Sequence, residues 1–341
     1  MFQYDFQKYT LYFRFAAGTS RGVLYHKDTY FVRIWQADAP LHFGLGEASI
    51  LQGLSLDESP DFERHLADCL ARFAATGAPE VAAAFPAIRF ALETALADFR
   101  QGAQRLPFPS AFTQGKQAVP INGLIWMGNK THMQSQIAAK IAEGYTCIKL
   151  KIGALDFEEE LALLKYIRQE FAAQELLLRV DANGAFRPEE ALEKLKRLSE
   201  YGLHSIEQPI MPRQTEAMAA LCAQSPLPIA LDEELIAHQE SAQKMALLKA
   251  IAPQYIILKP SLLGGFQSSR EWIDLAEAQG IGWWITSALE SNVGLNAIAQ
   301  FTATLPLHPQ AQQQGLGTGK LFHNNIESPL YVQQGYLHFA P

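Results

Sequence analysis

The sequence predicts an α/β barrel preceded by a smaller α+β segment, and three observations carry that expectation. The chain has 341 residues, enough for about two domains of roughly 150 residues each. From about residue 119 short apolar strands alternate with amphipathic helices, the pattern of a parallel sheet with helical crossovers. Ionisable residues then close successive strands every 25 to 27 residues, as in a barrel whose functional groups gather at the carboxyl ends of its strands.

Taken in order, residues 1–115 read as the α+β segment. Tyr9–Phe15 and Thr29–Trp35 are rich in aromatic and β-branched residues, hence strands. Between them lies a polar loop, Gly18-Thr19-Ser20-Arg21-Gly22. Ile88, Leu92, Ala95 and Phe99 recur at helical spacing, with Arg89, Glu93 and Arg100 off that stripe. Pro107-Phe108-Pro109 reads as a linker. The strands that follow are Ile121–Met127, Thr146–Ile152, Leu176–Asp181, Ser205–Glu207, Ile229–Asp232, Tyr255–Lys259 and Gly282–Thr286. Thr131 with Gln134 suggests a capping box, Pro188 suits a first helical turn, and Gly144, Gly202 and Gly280 suit helix stops. Tyr331-Val332 and Tyr336-Leu337 around Gly335 read as a final hairpin.

Composition narrows the class. Lys plus Arg number 28 and Asp plus Glu 35, a net charge of −7, so no basic surface for a nucleic acid is expected. Hydrophobic residues make up 48%, which supports a large core. No apolar run approaches the ~20 residues of a membrane span, and the first residues do not form a signal peptide. Three widely spaced cysteines, Cys69, Cys147 and Cys222, suit a reduced, cytoplasmic protein. The expected partner is a small molecule rather than a nucleic acid or a membrane.

The chemistry lies at the strand ends. In Ile148-Lys149-Leu150-Lys151-Ile152-Gly153 the alternation of a strand puts both lysines on one face and the aliphatic residues on the other. Asp181, Glu207, Asp232 and Lys259 end the next four strands. A single such carboxylate is as readily a helix cap or loop ion pair, but the matched spacing favours a shared site. In an open sheet five neighbouring strands would spread roughly 20 Å at about 4.8 Å each; in a closed barrel they converge. Three carboxylates are a hard-oxygen set suited to Mg²⁺, with no competing His/Cys set. Without a cation they would repel one another. A second lysine and a cation both disfavour an ammonium, so the 149/151 pair could bring one lysine into a working range as a base.

These residues resemble the enolase superfamily in its muconate-lactonising subgroup. The resemblance rests on Lys149/Lys151, Asp181/Asn183, Glu207-Gln208-Pro209, Asp232-Glu233 and Lys259, with support from AGTSRGVL (17–24), INGLIWMG (121–128), TSALES (286–291) and GLGTG (315–319). It implies a (β/α)7β modified TIM barrel over residues 116–321. An α+β N-terminal capping domain, residues 1–115, would be completed by the tail, 322–341. It implies Mg²⁺, with Mn²⁺ able to substitute, on Asp181, Glu207 and Asp232. The implied reaction is dehydration of 2-succinyl-6-hydroxy-2,4-cyclohexadiene-1-carboxylate in menaquinone biosynthesis. In it Lys151 removes the α-proton, an ene-diolate forms, and Lys151 then serves as acid for the departing hydroxyl. Lys259 would stabilise the anion from the other face, and Lys149 would tune Lys151.

Ser287 and Gly317 are carried over as contacts for the succinyl tail, although GLGTG alone reads as a tight turn. Arg21 is either a lid residue or part of a domain-interface ion pair. Glu290 and Asn183 are candidates for orienting their neighbours. The rival activities are N-succinylamino acid racemisation and dipeptide epimerisation, which would use the same lysines. The chain lacks the acidic D-x-D near the eighth strand that dipeptide epimerases usually carry. A non-catalytic scaffold would have no need of lysines beside a cation site.

Overall fold

A computed structural model describes the chain apart from residues 20, 21 and 127–129. Strands β1 (Phe2–Thr19), β2 (Gly22–Gln36) and β3 (Phe43–Ser49) form an antiparallel sheet in that order. Its first pairing runs from Phe2 opposite Gln36 to Tyr12 opposite His26, then shifts before resuming at Ala17 opposite Leu24. Helices α1 (Phe62–Thr76) and α2 (Pro86–Arg100) cover one face, and Ile88, Leu92 and Ala95 of the expected stripe are buried there. Gly44 and Gly46 let α2 lie directly on β3. A Cβ at either would come within about 2 Å of the carbonyl oxygen of Ala95 or Ala91.

The second body follows β4 (Val119–Pro120). Its strands are β5 (Gly123–Ile125), β6 (Cys147–Lys151), β7 (Leu177–Asp181), β8 (Ser205–Glu207), β9 (Ile229–Leu231), β10 (Tyr255–Leu258) and β11 (Gly282–Ile285). They pair in parallel and in sequence order. The crossovers are α3 (Lys130–Ala142), α4 (Phe157–Glu170), α5 (Pro188–Ser199), α6 (Thr215–Gln224), α7 (Ser241–Ile251), the short α8 (Pro260–Leu263) and α9 (Gly265–Glu277). Helix α10 (Asn292–Ala303) follows β11.

Residues 314 and 315 close the barrel. Gln314 bridges to Ile121 and Gly315 to Thr286, both in parallel. Hydrogen bonds from Asn122 N to Gln314 O and from Ser287 N to Gly315 O join this short eighth strand to the first and last of the sheet. GLGTG is therefore strand at its start, and only residues 317–320 form the expected turn. Gly315 is required there, because a Cβ would sit 2.1 Å from Thr286 Oγ1.

Strand alternation sorts the barrel into two cores. Ile148, Leu150, Leu178, Val180, Ile206, Ile256 and Leu258 pack outward beneath the helices. Ala230, Ile257 and Trp284 face inward, where the Arg179 guanidinium lies 4.0 Å over the Trp284 ring and donates to Gln313 O. Pro188 occupies the first turn of α5, and Gly144, Gly202 and Gly280 take positive φ after their helices. Two local expectations change. Helix α3 begins at Lys130, which puts Thr131 inside its first turn rather than at the cap. The first barrel strand spans Gly123–Ile125, and Met127 lies outside the described residues.

Carboxylates at helix N-termini fix the antiparallel sheet and its helices to the barrel. Glu93, off the stripe of α2, accepts from the backbone N–H groups of Phe266 and Gln267 in the first turn of α9. Glu47 on β3 accepts from Ser291 N (2.8 Å), Gly294 N (2.8 Å) and Ser291 Oγ (2.5 Å) at the start of α10. An anion at a helix N-terminus satisfies otherwise unpaired N–H groups and opposes the helix dipole. Phe108, within the expected linker, packs against Phe266 and Phe301 of the barrel helices instead of lying in solvent. The tail returns to the sheet and then to β4. Residues 321–323 pair with β1, through Arg14 N to Leu321 O and His323 N to Tyr12 O. The hairpin β12 (Leu330–Gln333) and β13 (Tyr336–Phe339) then adds to β4.

Removing Glu47 strands buried N–H groups at the α10 N-terminus. Glu47→Ala is expected to cost about 3 kcal/mol, read as a lower urea midpoint with faster amide exchange at the start of α10. A loss below about 1 kcal/mol would show that water replaces the carboxylate there.

Candidate active site

The carboxyl ends of the barrel strands open into a cavity of about 700 Å³ between the barrel and the antiparallel sheet. Lys149, Lys151, Asp181, Asn183, Lys259, Ser287 and Gly317 line it. Gly22-Val23-Leu24 at the hairpin end and Leu51-Gln52-Gly53-Leu54 after β3 line its other side. Arg21 lies outside the described residues.

Pairing sets the relative heights of these groups. Lys151 on β6 stands opposite Asp181 on β7, and Asp181 opposite Glu207 on β8. Asp232 directly follows β9 and Lys259 directly follows β10. With eight strands in the ring, β6 and β10 are four apart, on opposite walls. Lys151 and Lys259 therefore face the cavity from opposite sides, with Asp181, Glu207 and Asp232 on the three strands between.

The carboxylates are joined through lysines. Lys149 Nζ lies 2.6 Å from Glu207 Oε2 and 3.1 Å from Asp181 Oδ2. Lys151 Nζ lies 3.2 Å from Asp181 Oδ2 and donates to Asn183 Oδ1 at 2.6 Å. Lys259 Nζ lies 2.5 Å from Asp232 Oδ2. Among the described residues no three acidic, imidazole or thiol groups stand together at ligand spacing.

The electrostatics differ from the sequence expectation at Lys149. Burial alone would lower its pKa, but the charges of Asp181, Glu207 and Asp232 outweigh that cost and the shift is upward. Lys149 is thus a bound ammonium rather than a free like-charge neighbour. Burial raises Glu207 and Asp232, and the other carboxylates add to that rise against the pull of the lysines. Burial also opposes ionisation of Asp181, yet Lys149, Lys151 and Lys259 together bring it below the usual carboxylate range. Two of the three carboxylates are thus harder to ionise than in water, and Glu207 Oε1 is buried with no hydrogen-bond partner. An all-oxygen set with an unused buried acceptor fits a hard divalent cation.

Neighbouring side chains brace the set. Asn183 Nδ2 donates to Glu233 Oε1, and its backbone N–H donates to Asp181 Oδ1. Gln208 Oε1 accepts from the N–H groups of Asp232 and Glu234, tying two strand ends together. Asn183 and Gln208 both adopt positive φ (44° and 35°), strained backbone of the kind that persists where the surroundings over-determine it. Glu290 is fully buried and accepts from Ser261 Oγ, Ser287 Oγ and Ala288 N. It therefore orients Ser287, whose hydroxyl also accepts from Thr318 Oγ1. Sequence reasoning missed Lys140, Tyr145 and Lys320, which also line the cavity. They sit on a helix, before a strand and on a turn, where no periodic signal marks them.

A capped barrel bearing these groups defines an enolase-type site, and the chain belongs to that family: the model for enolase C-terminal domain-like proteins matches residues 132–341. Within it, the chain is 51% identical to the o-succinylbenzoate synthase of Desulfotalea psychrophila over 98% of both chains. The crystal structure of MenC from Desulfotalea psychrophila superposes with a TM-score of 0.85 and 46% identity, covering 99% of each chain. The N-succinylamino acid racemase of an Amycolatopsis species is more distant, 29% identical over 72% of this chain and 65% of its own.

Proposed function

We propose that the protein is an o-succinylbenzoate synthase, a hydro-lyase that converts 2-succinyl-6-hydroxy-2,4-cyclohexadiene-1-carboxylate to 2-succinylbenzoate. The observation that carries this reading is the pair of lysines on opposite walls, Lys151 and Lys259, with three carboxylates between them. Full-length similarity to the Desulfotalea enzyme selects dehydration among the reactions such a site can perform.

Lys151 takes the proton α to the ring carboxylate at its Nζ, and the C–H electrons pass into that carboxylate as an ene-diolate. The same Nζ returns the proton to the hydroxyl on the same face. The C–O bond breaks, water leaves and the ring becomes aromatic. Asn183 holds Nζ in place for both transfers. Lys259, on the other face, remains an ammonium and stabilises the anion through its charge. Lys149 keeps Asp181 and Glu207 positioned. Asp181, Glu207 and Asp232 would hold Mg²⁺, with Mn²⁺ substituting, and a bound cation acts as a Lewis acid toward the carboxylate whose α-proton is removed. Ser287 and Gly317 border the succinyl chain. Residues 1–115 with 322–341 form the cap that keeps water from the barrel mouth formed by residues 116–321.

We place the reaction in the cytoplasm, within menaquinone biosynthesis. Three free, buried cysteines suit a reducing compartment, and no helix among the described residues is long and apolar enough to cross a membrane.

The direct test incubates the Mg²⁺-loaded protein with the diene, and separately with N-succinylamino acids and dipeptides in D₂O. Loss of the diene absorbance with formation of 2-succinylbenzoate is expected. Deuterium exchange at the α-carbon of the amino acid derivatives, with the diene untouched, would reassign the site to racemisation or epimerisation.

A further inference from the structure

Among the described residues five lysines line the central cavity, Lys140, Lys149, Lys151, Lys259 and Lys320, against the carboxylates of Asp181 and Glu233. Three of them are held at the strand ends by Asp181, Glu207 and Asp232. Lys140 is held by Glu143 at 2.7 Å and lies 5.0 Å over the Tyr145 ring. Lys320 has no hydrogen-bond or ion-pair partner among the described residues.

The backbone around Lys320 is fixed. Thr318 Oγ1 donates to Ser287 Oγ at 2.9 Å, tying the turn to the barrel. Gly319 O accepts from Asn325 Nδ2 at 2.9 Å. Leu321 N donates to Thr318 O, and Leu321 O accepts from Arg14 N of β1. The Lys320 side chain, exposed and without a partner among the described residues, is thus carried on a turn clamped to the barrel, the tail and the antiparallel sheet. Its place in the cavity is also defined. Lys140, Tyr145, Gly317 and Lys320 border a second cavity of about 700 Å³ that the strand-end lysines do not reach. Lys320 therefore stands at the end of the active cavity away from the carboxylate set. The Tyr145 hydroxyl lies there too, 3.8 Å from where a Cβ on Gly317 would be. Burial pushes its pKa up to about 12, so it stays a donor at neutral pH.

We infer that Lys320, with the Tyr145 hydroxyl, is the subsite for the remote carboxylate of the substrate. The assignment rests on the dehydration reading, whose substrate carries two carboxylates. The ring carboxylate goes to the strand-end charges. The one at the end of the succinyl chain meets an ammonium that no group among the described residues neutralises. Lys320 then selects for a second carboxylate at a set reach and leaves proton transfer to Lys151.

The test titrates 2-succinylbenzoate and 2-butyrylbenzoate, which lacks the remote carboxylate, into Mg²⁺-loaded wild type, Lys320→Gln and Lys320→Arg, by calorimetry. Wild type is expected to prefer 2-succinylbenzoate by about 10- to 100-fold, the worth of a charged hydrogen bond. Lys320→Gln should erase most of that preference and Lys320→Arg keep it. With the diene, Lys320→Gln should raise KM by about tenfold or more and lower kcat by no more than about threefold. An unchanged preference in Lys320→Gln overturns the subsite, as does a wild type that dehydrates the diene yet binds both ligands equally. A wild type that neither dehydrates the diene nor binds 2-succinylbenzoate rejects the dehydration reading itself, and the subsite with it.

Discussion

Replacing Lys151 with alanine is expected to lower kcat for diene dehydration by at least about 10³-fold, because a positioned general acid or base contributes about 10²–10⁴ and this residue serves as both. The geometry makes the variant a clean test. Lys151 gives up one contact to Asp181 and one to Asn183, but Asp181 keeps Lys149 at 3.1 Å. The carboxylate is therefore not left alone in the barrel, and the urea midpoint should move little. Lys151→Arg should be nearly as inactive, since a guanidinium with a pKa above 12 does not give up its proton near neutrality. Initial rates of diene loss, with denaturation curves on the same preparations, decide the matter. Activity within tenfold of wild type in Lys151→Ala would remove this lysine from proton transfer.

Much of the barrel is legible because its side-chain pattern and its backbone pattern coincide. In Ile148–Gly153 the same alternation that buries Ile148 and Leu150 under the helices aims Lys149 and Lys151 at the cavity. The carboxylates at successive strand ends are legible for the same reason, since each strand is followed by a crossover of similar length. The closing strand is not. Its pairing rests on backbone bridges at Gln314 and Gly315, and a segment without β-branched residues or alternation shows no strand signal. Glu47 and Glu93 fail differently. Each binds a helix N-terminus far along the chain, and nothing near either residue marks that partner. For Lys149 the expected repulsion from its neighbour is real but loses to contact with two opposite charges, at 2.6 and 3.1 Å. Strand parity identifies which groups share a face, whereas the balance of charge on that face depends on three other strands.

Exhaustive chelation is expected to lower activity by at least about 10³-fold, the scale of removing one preorganised electrostatic contact at a reacting centre, and Mg²⁺ or Mn²⁺ should restore it. Stability should respond far less. Lys149, Lys151 and Lys259 lie against Asp181, Glu207 and Asp232, and these ion pairs offset the repulsion between the carboxylates by themselves. A cation present at a hundred times its dissociation constant adds about 2.7 kcal/mol. For a chain this size that corresponds to roughly 10 °C in Tm or less. The two readouts separate a catalytic ion from a structural one. Loss of turnover with a small, saturable shift in Tm is the signature of an ion whose charge the reaction needs and the fold does not. Unfolding on chelation would mean that the lysine pairs cannot hold the strand ends together alone. Turnover that survives chelation would show that ammonium groups suffice to stabilise the ene-diolate.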